Sequence, residues 1–274
     1  MNMLALGDNV VDCYLDQRMY YPGGNAVNVA VGCKRAGFER VEYLGVFGDD
    51  KEAEHLKWAL DQEGIAYGRS RKVYAISGHP GVQLTPGGDR EFVGGPKNTA
   101  QHVVRIHLMP EDIAYLQQFD ICHTSCYSSV EPELPAMRAA CSVSFDFSNL
   151  ALKKEYLDQV CPYVRFAFFS GYGLSDGQIK DLLALVHGHG VEIAGITQGE
   201  RGALFSKKGV LYRQGIKPVK VVDTMGAGDS FIAGFLTSYL HGAAMEEALD
   251  FAAGCAAKTC TAYGGFGYGR PFET

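Results

Sequence analysis

Six short runs dense in Val, Ile, Leu and Phe punctuate the chain, at residues 3–7, 41–47, 120–125, 143–147, 165–169 and 191–197. Each is nearly continuously apolar, as a strand buried on both faces must be. Stretches of helical period lie between several of them, at about 25–36, 51–63, 111–118 and 176–187. Such strands alternating with helices require a mostly parallel central sheet covered on both sides, so a three-layer α/β/α sandwich is expected. Two segments break the alternation. Residues 11–22 and 73–95 carry β-type residues and turn signals, with Pro86-Gly87-Gly88-Asp89 leading into Arg90-Glu91-Phe92-Val93 as a returning strand. They predict a small β lid projecting from the main sheet, within a single domain spanning 1–274. A further hairpin is expected over 203–212 around Lys207-Lys208-Gly209, then long helices at about 227–241 and 245–262, while 264–269 reads as irregular.

Composition narrows the function. With 274 residues, 47% hydrophobic and 20% charged, the chain can build a sizeable core. Its net charge of -6 disfavours a dedicated nucleic-acid binder, whose affinity rests on clustered Lys and Arg. The eight cysteines are scattered through a chain too long to need staples, so free thiols in a reducing cytoplasm are expected. Cys122-His123-x-x-Cys126 could supply three metal ligands, but no second pair stands at zinc-site spacing, and buried thiols on a strand are the simpler reading. No basic leader and no membrane-length apolar run is present, which again points to the cytoplasm.

The strongest chemical signal is Val221-Val222-Asp223-Thr224-Met225-Gly226-Ala227-Gly228-Asp229-Ser230-Phe231, read as a strand end passing through a small-residue turn into a helix. Helix-start N–H groups lack intrahelical partners and the helix dipole adds positive potential, so Gly226, Ala227 and Gly228 can cradle an anion. Asp229 would stand beside that anion hole, in reach of a hydroxyl whose proton must leave during phosphoryl transfer. A helix-capping Asp explains the pair Gly228-Asp229 but not two glycines after Asp223-Thr224. A dinucleotide fingerprint would need glycine where Phe231 stands, and a Walker P-loop is absent from the chain.

A second signal is Tyr21-Pro22-Gly23-Gly24-Asn25-Ala26-Val27-Asn28, a turn opening a helix on which Asn25, Asn28 and Gly32 share one side. Amide groups and bare glycine backbone facing a cleft suit polyol recognition, although an N-cap Asn25 with an exposed Asn28 explains the same residues. Asp12, just beyond the first strand, completes a candidate polar site, since ligands of open α/β sheets bind at strand C-terminal ends.

These motifs, with Gly45-Val46-Phe47-Gly48-Asp49-Asp50 and Thr197-Gln198-Gly199-Glu200-Arg201-Gly202, occur in the order found in ribokinase-like (PfkB) carbohydrate kinases, which the chain resembles over nearly its full length. The resemblance implies a ribokinase-like fold and ATP-dependent phosphorylation of a sugar. It makes Asp229 the general base, residues 226–228 the anion hole, and Asp12, Gly24 and Asn28 the sugar ligands. It places Thr197, Gly199, Gly202, Gly228 and Ala253 along the ATP cleft, and a monovalent cation such as potassium on backbone groups of Asp223, Met225 and the region of Gly264. MgATP is the implied phosphoryl donor. The runs Gly7-Asp8-Asn9, Asp146-Phe147-Ser148 and Cys255-Ala256-Ala257-Lys258-Thr259 are similar to those of family members acting on fructosamines, implying transfer to the 6-hydroxyl of a ketose with an amino-acid tail, such as fructoselysine.

One departure stands out. Where many relatives carry an N-x-x-E motif that organises magnesium, this chain reads Phe169-Ser170-Gly171-Tyr172-Gly173, so the ion must be arranged otherwise or held mainly by ATP phosphates. The alternatives are a kinase of the same fold for fructose, 2-keto-3-deoxygluconate or adenosine, and a non-catalytic sugar or nucleotide sensor. No nucleic-acid or membrane partner is expected. The exposed edge of the β lid favours a homodimer.

Overall fold

The computed structural model describes residues 1–85, 89–149 and 153–272. In chain order the strands are β1 (Asn2–Gly7), β2 (Val10–Tyr14), β3 (Met19–Gly23), β4 (Arg40–Phe47), β5 (Arg71–Lys72), β6 (Gly81–Leu84), β7 (Arg90–Gly94), β8 (Ile121–Ser125), β9 (Ser142–Asp146), β10 (Phe166–Ser170), β11 (Ile193–Thr197), β12 (Ala203–Lys207), β13 (Val210–Gln214) and β14 (Arg270–Pro271). The α-helices are α1 (Asn25–Ala36), α2 (Lys51–Gln62), α3 (Ala100–Val103), α4 (Pro110–Leu116), α5 (Leu134–Ala140), α6 (Lys154–Val160), α7 (Asp176–Gly188), α8 (Ala227–Leu240) and α9 (Met245–Thr259).

The main sheet runs β13-β12-β11-β10-β9-β8-β1-β4-β5, parallel except for the terminal hairpin β12–β13. On β1, Met3 and Ala5 join one apolar cluster with α1, α8 and α9, while Leu4 and Leu6 join a second with α4, α5, α6 and α7. All four side chains are fully buried, so adjacent residues of one strand feed opposite cores and none can be polar. The chain leaves β1 towards β4 on one side and returns to β8 on the other. That reversal opens a crevice at the C-terminal end of β1, where Asp8 stands.

The second sheet, β14-β3-β2-β6-β7, carries its own small core of Tyr14, Tyr21 and Val82, joined by Met225 from the turn before α8. The hairpin turn residues Pro86, Gly87 and Gly88 lie outside the described residues. Among the described residues no helix is long and apolar enough to cross a membrane, and all eight cysteines are unpaired.

Three local expectations fail. Val221 and Val222 form no strand: the preceding segment has no neighbour to pair with, and the Val222 N–H is taken by the carbonyl of Cys260 past the end of α9. Pro22 and Gly23 belong to β3, paired with Val11 and Val10, so the bend falls at Gly24 alone. Gly32 does not face the cleft. A Cβ there would lie 2.6 Å from that of Ala233, so its bareness serves the crossing of α1 and α8. The short helices α5 and α6 carried no readable period, each being only seven residues long.

Gly32→Val should therefore cost roughly 1–3 kcal/mol of stability by overpacking, measured by urea unfolding, while leaving the KM for sugar nearly unchanged.

Candidate active site

The crevice is built from four strand or helix ends. Gly24 adopts φ 103° as the N-cap of α1, and a Cβ there would press to 2.8 Å against the backbone of Asp8 and Asn9, so only glycine fits. Asp8, which sequence reasoning noted only as part of a motif, closes the helix start. Its carboxylate accepts from the N–H of Asn25 at 2.7 Å and of Ala26 at 3.3 Å, and from the hydroxyls of Ser125 and Ser128, both at 3.1 Å. Asn25 and Asn28 then point into the crevice from the first turn of α1.

Both meet Asp229. Asn25 Nδ2 donates to its Oδ1 at 2.8 Å and Asn28 Nδ2 to its Oδ2 at 2.6 Å. Asn25 also reaches Asp146 at the end of β9, again at 2.8 Å, while Asp146 accepts from the Ser148 N–H at 2.8 Å. Asp146 entered the sequence reading only through a shared run; its place at the C-terminal end of a parallel strand was the signal that could have marked it. Asn28 Oδ1 is buried without a partner among the described residues.

Asp229 lies in the first turn of α8, whose N-cap Gly226 has φ 72° and no side-chain cap. A Cβ at Gly226 would stand 2.6 Å from the Cα of Gly265, so the glycine lets two turns touch. The Ala227 N–H bonds to the Thr224 carbonyl and the Ser230 N–H to that of Gly226, which leaves the Gly228 and Asp229 N–H groups without partners among the described residues. Above Gly228 nothing lies within 4 Å of a Cβ position. A helix start with free donors and open space is suited to an anion.

The turn is tied to the lid. Asp223, fully buried, accepts from the Tyr14 phenol of β2 and from the N–H groups of Met225 and Gly264, both at 2.9 Å. At the lid tip, Arg90 Nη1 donates to the Thr224 carbonyl at 3.0 Å and Thr224 Oγ1 donates to Asp89 at 2.8 Å. Asp50 caps α2 through Ala53 and also accepts from the N–H and hydroxyl of Ser77, which fixes the crossing into the lid.

The carboxylates feel this burial. Burial pushes the Asp229 carboxyl up to about 6, against the pull of the Asn28 hydrogen bond and the Arg90 charge. Burial likewise raises Asp12 and Asp146 to about 7, with Arg90 opposing the rise at Asp12 and the Asp229 charge adding to it at both. Asp12 on β2 is thus electrostatically joined to Asp229 without bonding to it.

Thr197, Gly199 and Gly202 stand together at the end of β11, where the Thr197 carbonyl accepts from Gly171 and the Gln198 N–H bonds to Gly202. Ala253 on α9 is buried in the cluster containing Phe205 and Phe231 and would shape a cleft only from beneath. Cys122, His123 and Cys126 form no metal site, nor does any other group of three His, Cys, Asp or Glu side chains among the described residues.

Residues 6–267 match the profile of the pfkB family carbohydrate kinases. The chain belongs to that family. It is 43% identical over 273 residues, all of this chain and 95% of the relative, to fructosamine kinase FrlD of Bacillus subtilis strain 168. It is 33% identical to fructoselysine 6-kinase of Escherichia coli K12, covering 96% of this chain and 98% of that one. Arabidopsis thaliana ribokinase, solved with ribose and ATP, shares the fold with a TM-score of 0.79 at 20% identity, over 96% of this chain and 93% of its own. This chain is accordingly an ATP-dependent sugar kinase with a ribokinase-like α/β fold.

In this kinase the Asp12 carboxylate accepts no hydrogen bond among the described residues, so Asp12→Asn removes a buried carboxyl and leaves no protein donor stranded. A carboxyl raised in the folded state stabilises below its unfolded value near 4 and loses that stabilisation as pH climbs through about 7. Asp12→Asn should therefore melt higher than the parent at pH 8, by roughly 1–2 kcal/mol, with the gain shrinking steadily towards pH 4.

Proposed function

We propose that this kinase transfers the γ-phosphoryl group of ATP to the terminal 6-hydroxyl of a fructosamine, with fructoselysine the foremost candidate. The observation that carries the reading is Asp229: a half-buried carboxylate gripped by two asparagine amides, in the first turn of a bare helix start whose Gly228 and Asp229 N–H groups have no partner among the described residues. The similarity to the fructosamine and fructoselysine kinases over 95–98% of their length supports the substrate class.

Asp12, Gly24 and Asn28 hold the sugar under the lid; the unpartnered Asn28 Oδ1 would accept from one of its hydroxyls. Asp229 takes the proton of the attacking hydroxyl as that oxygen approaches the γ-phosphorus. Of the expected Gly226-Ala227-Gly228 anion hole, the Ala227 N–H is already engaged with Thr224, so the Gly228 and Asp229 N–H groups meet the charge on the transferring group. Thr197, Gly199, Gly202 and Ala253 line the nucleotide side of the crevice.

Magnesium fits the residues poorly as a caged ion, because no three-ligand group exists among the described residues, and it enters with ATP, held by the phosphates. Potassium fits better: the Asp223 carboxylate gathers Met225 and Gly264 at one point, and backbone groups of these three residues would hold the ion beside the anion hole. A cytoplasmic setting suits eight unpaired cysteines. The edge strand β7 is exposed throughout, with Phe92 at 57% and Val93 at 47%, which supports a homodimer through the lid. Light scattering behind size exclusion should then give twice the chain mass, and a single-chain mass would refute the pairing.

The central test is ADP release from MgATP with fructoselysine, other fructosamines, fructose, 2-keto-3-deoxygluconate and adenosine in parallel. Fructosamine turnover should exceed the rest; turnover confined to fructose or adenosine would keep the chemistry and discard the substrate, and none at all would favour a sensor. Asp229→Asn should stay folded, bind sugar and lose roughly two to four decades of kcat. Because the base must be ionised, kcat/KM of the parent should fall below a pH of about 6.

A further inference from the structure

Beneath the base lies a buried imidazole for which phosphoryl transfer has no direct use. His123 on β8 is fully buried and bonded at both ends of its ring, with Nδ1 2.9 Å from Ser144 Oγ on β9 and Nε2 3.1 Å from Asn25 Oδ1 on α1. The Asn25 amide in turn spans two carboxylates, its Nδ2 standing 2.8 Å from both Asp146 and Asp229.

Only one proton arrangement satisfies these contacts. Carboxylates accept, so Nδ2 must supply one N–H to each of them and Oδ1 must face His123. An amide oxygen accepts too, so the proton on the imidazole sits at Nε2. Burial pushes the ring down to about 3 and keeps it neutral, which leaves Nδ1 bare to accept from the Ser144 hydroxyl. An asparagine amide has nearly the same shape when turned by half a rotation. Nothing steric would stop Asn25 from turning; the two carboxylates disfavour an oxygen facing them, and the Nε2–H of His123 adds the third bond that holds the amide in the donating orientation.

We infer that His123 is a positioning residue, whose Nε2–H locks the Asn25 amide so that its two N–H bonds point at Asp146 and Asp229. The inference rests on Asp229 being the base. A turned amide would set an oxygen dipole against Asp229 and withdraw a donor from it, both of which favour the protonated and inactive carboxylic acid. The other charged groups facing Asp229 are Asp8 after β1, Asp12 on β2, Asp146 on β9 and Arg90 on β7; Asp8 pushes its proton affinity up and Arg90 opposes the rise, while Asp12 and Asp146 are themselves raised by the Asp229 charge. With Asp8 beside it and its own burial against it, the base depends on its amide donors, and Asn28 supplies only one of the two.

The test compares His123→Leu, His123→Gln, Asn25→Leu and the double variant His123→Leu/Asn25→Leu, reading kcat and both KM values from pH 5.5 to 9. His123→Leu should shift the acidic limb upward by about one pH unit, which lowers kcat about twofold at pH 7 and about eightfold at pH 5.5, and recover nearly all of its turnover by pH 8.5 with the KM for ATP unchanged. His123→Gln keeps an N–H donor and should restore much of the loss. Asn25→Leu should shift the limb as far, and the double variant no further, because both substitutions remove the same donor. A carbon-13 NMR titration of the Asp229 carboxyl, assigned by its disappearance in Asp229→Asn, reads the same shift without any substrate. Should His123→Leu fail to fold, Asn25→Leu and Ser144→Ala carry the comparison, the latter shifting the limb less because it frees the ring to change tautomer. A folded His123→Leu that loses turnover equally at every pH, or whose Asp229 titrates as in the parent, overturns the inference while fructosamine turnover by the parent stands. A parent inactive on fructosamines, with the titration shift intact, overturns the substrate and leaves the positioning role standing.

Discussion

Asp223 is the point on which the site hangs. One fully buried carboxylate takes the phenol of Tyr14 from the lid, the N–H of Met225 from the turn before α8 and the N–H of Gly264 from the turn after α9. A buried charge without partners would be costly, so three donors from three parts of the chain must converge for it to be tolerated at all. Their convergence aligns the lid with the helix start that carries Asp229. Met225 reinforces it by packing into the lid core against Tyr14, Tyr21 and Val82. The turn that would receive phosphate and the sheet that would cover the sugar therefore form one mechanical unit.

The same crevice holds charge that works against folding. Asp12 is buried and Asp146 and Asp229 half-buried around one crevice, the Asp229 charge acts on both of the others, and all three carboxyls are pushed up to about 6 or 7. A fold selected for stability alone would not gather three acids beside Asp8. The arrangement makes sense for a base that has to be strong enough to take a hydroxyl proton, and still ionised near neutrality. The amides of Asn25 and Asn28 and the guanidinium of Arg90 keep Asp229 on the useful side of that balance. Arg90 reaches it from the lid, so covering the substrate and tuning the base depend on the same strand.

What was legible in the sequence follows from how local the signal is. The parallel strands announce themselves because both faces are buried, and every residue from Met3 to Leu6 must be apolar. Gly226 through Asp229 were readable because a helix start that binds an anion must be written in adjacent small residues. Asp8 and Asp146 were noted only within shared runs and His123 only as a possible metal ligand: their places in the site arise only when β1, β8 and β9 are brought side by side, and no spacing along the chain encodes that. Gly32 misled for a related reason, since a glycine on a helix face looks the same whether a ligand or another helix approaches it. The supposed strand at Val221-Val222 misled because β-branched composition was taken for pairing, and pairing needs a neighbour that is absent there.

Two helix starts face this one crevice, and the chain treats them in opposite ways. At α1 the N-terminal donors are filled by the Asp8 carboxylate, so the positive end of that helix is neutralised and closed to any anion. What α1 then presents is amide side chains, suited to hydroxyl groups and to a carboxylate that needs support. At α8 the N-cap is glycine, no side chain caps the end, and the Gly228 and Asp229 N–H groups stay free among the described residues. A phosphoryl group would find this bare helix start favourable, beside the proposed base. In the proposed reaction, filling one helix end and leaving the other bare would set the direction of transfer, with sugar on the α1 side and phosphate on the α8 side. Asn25 and Asn28 cross the gap between them to hold Asp229 where the two substrates would meet.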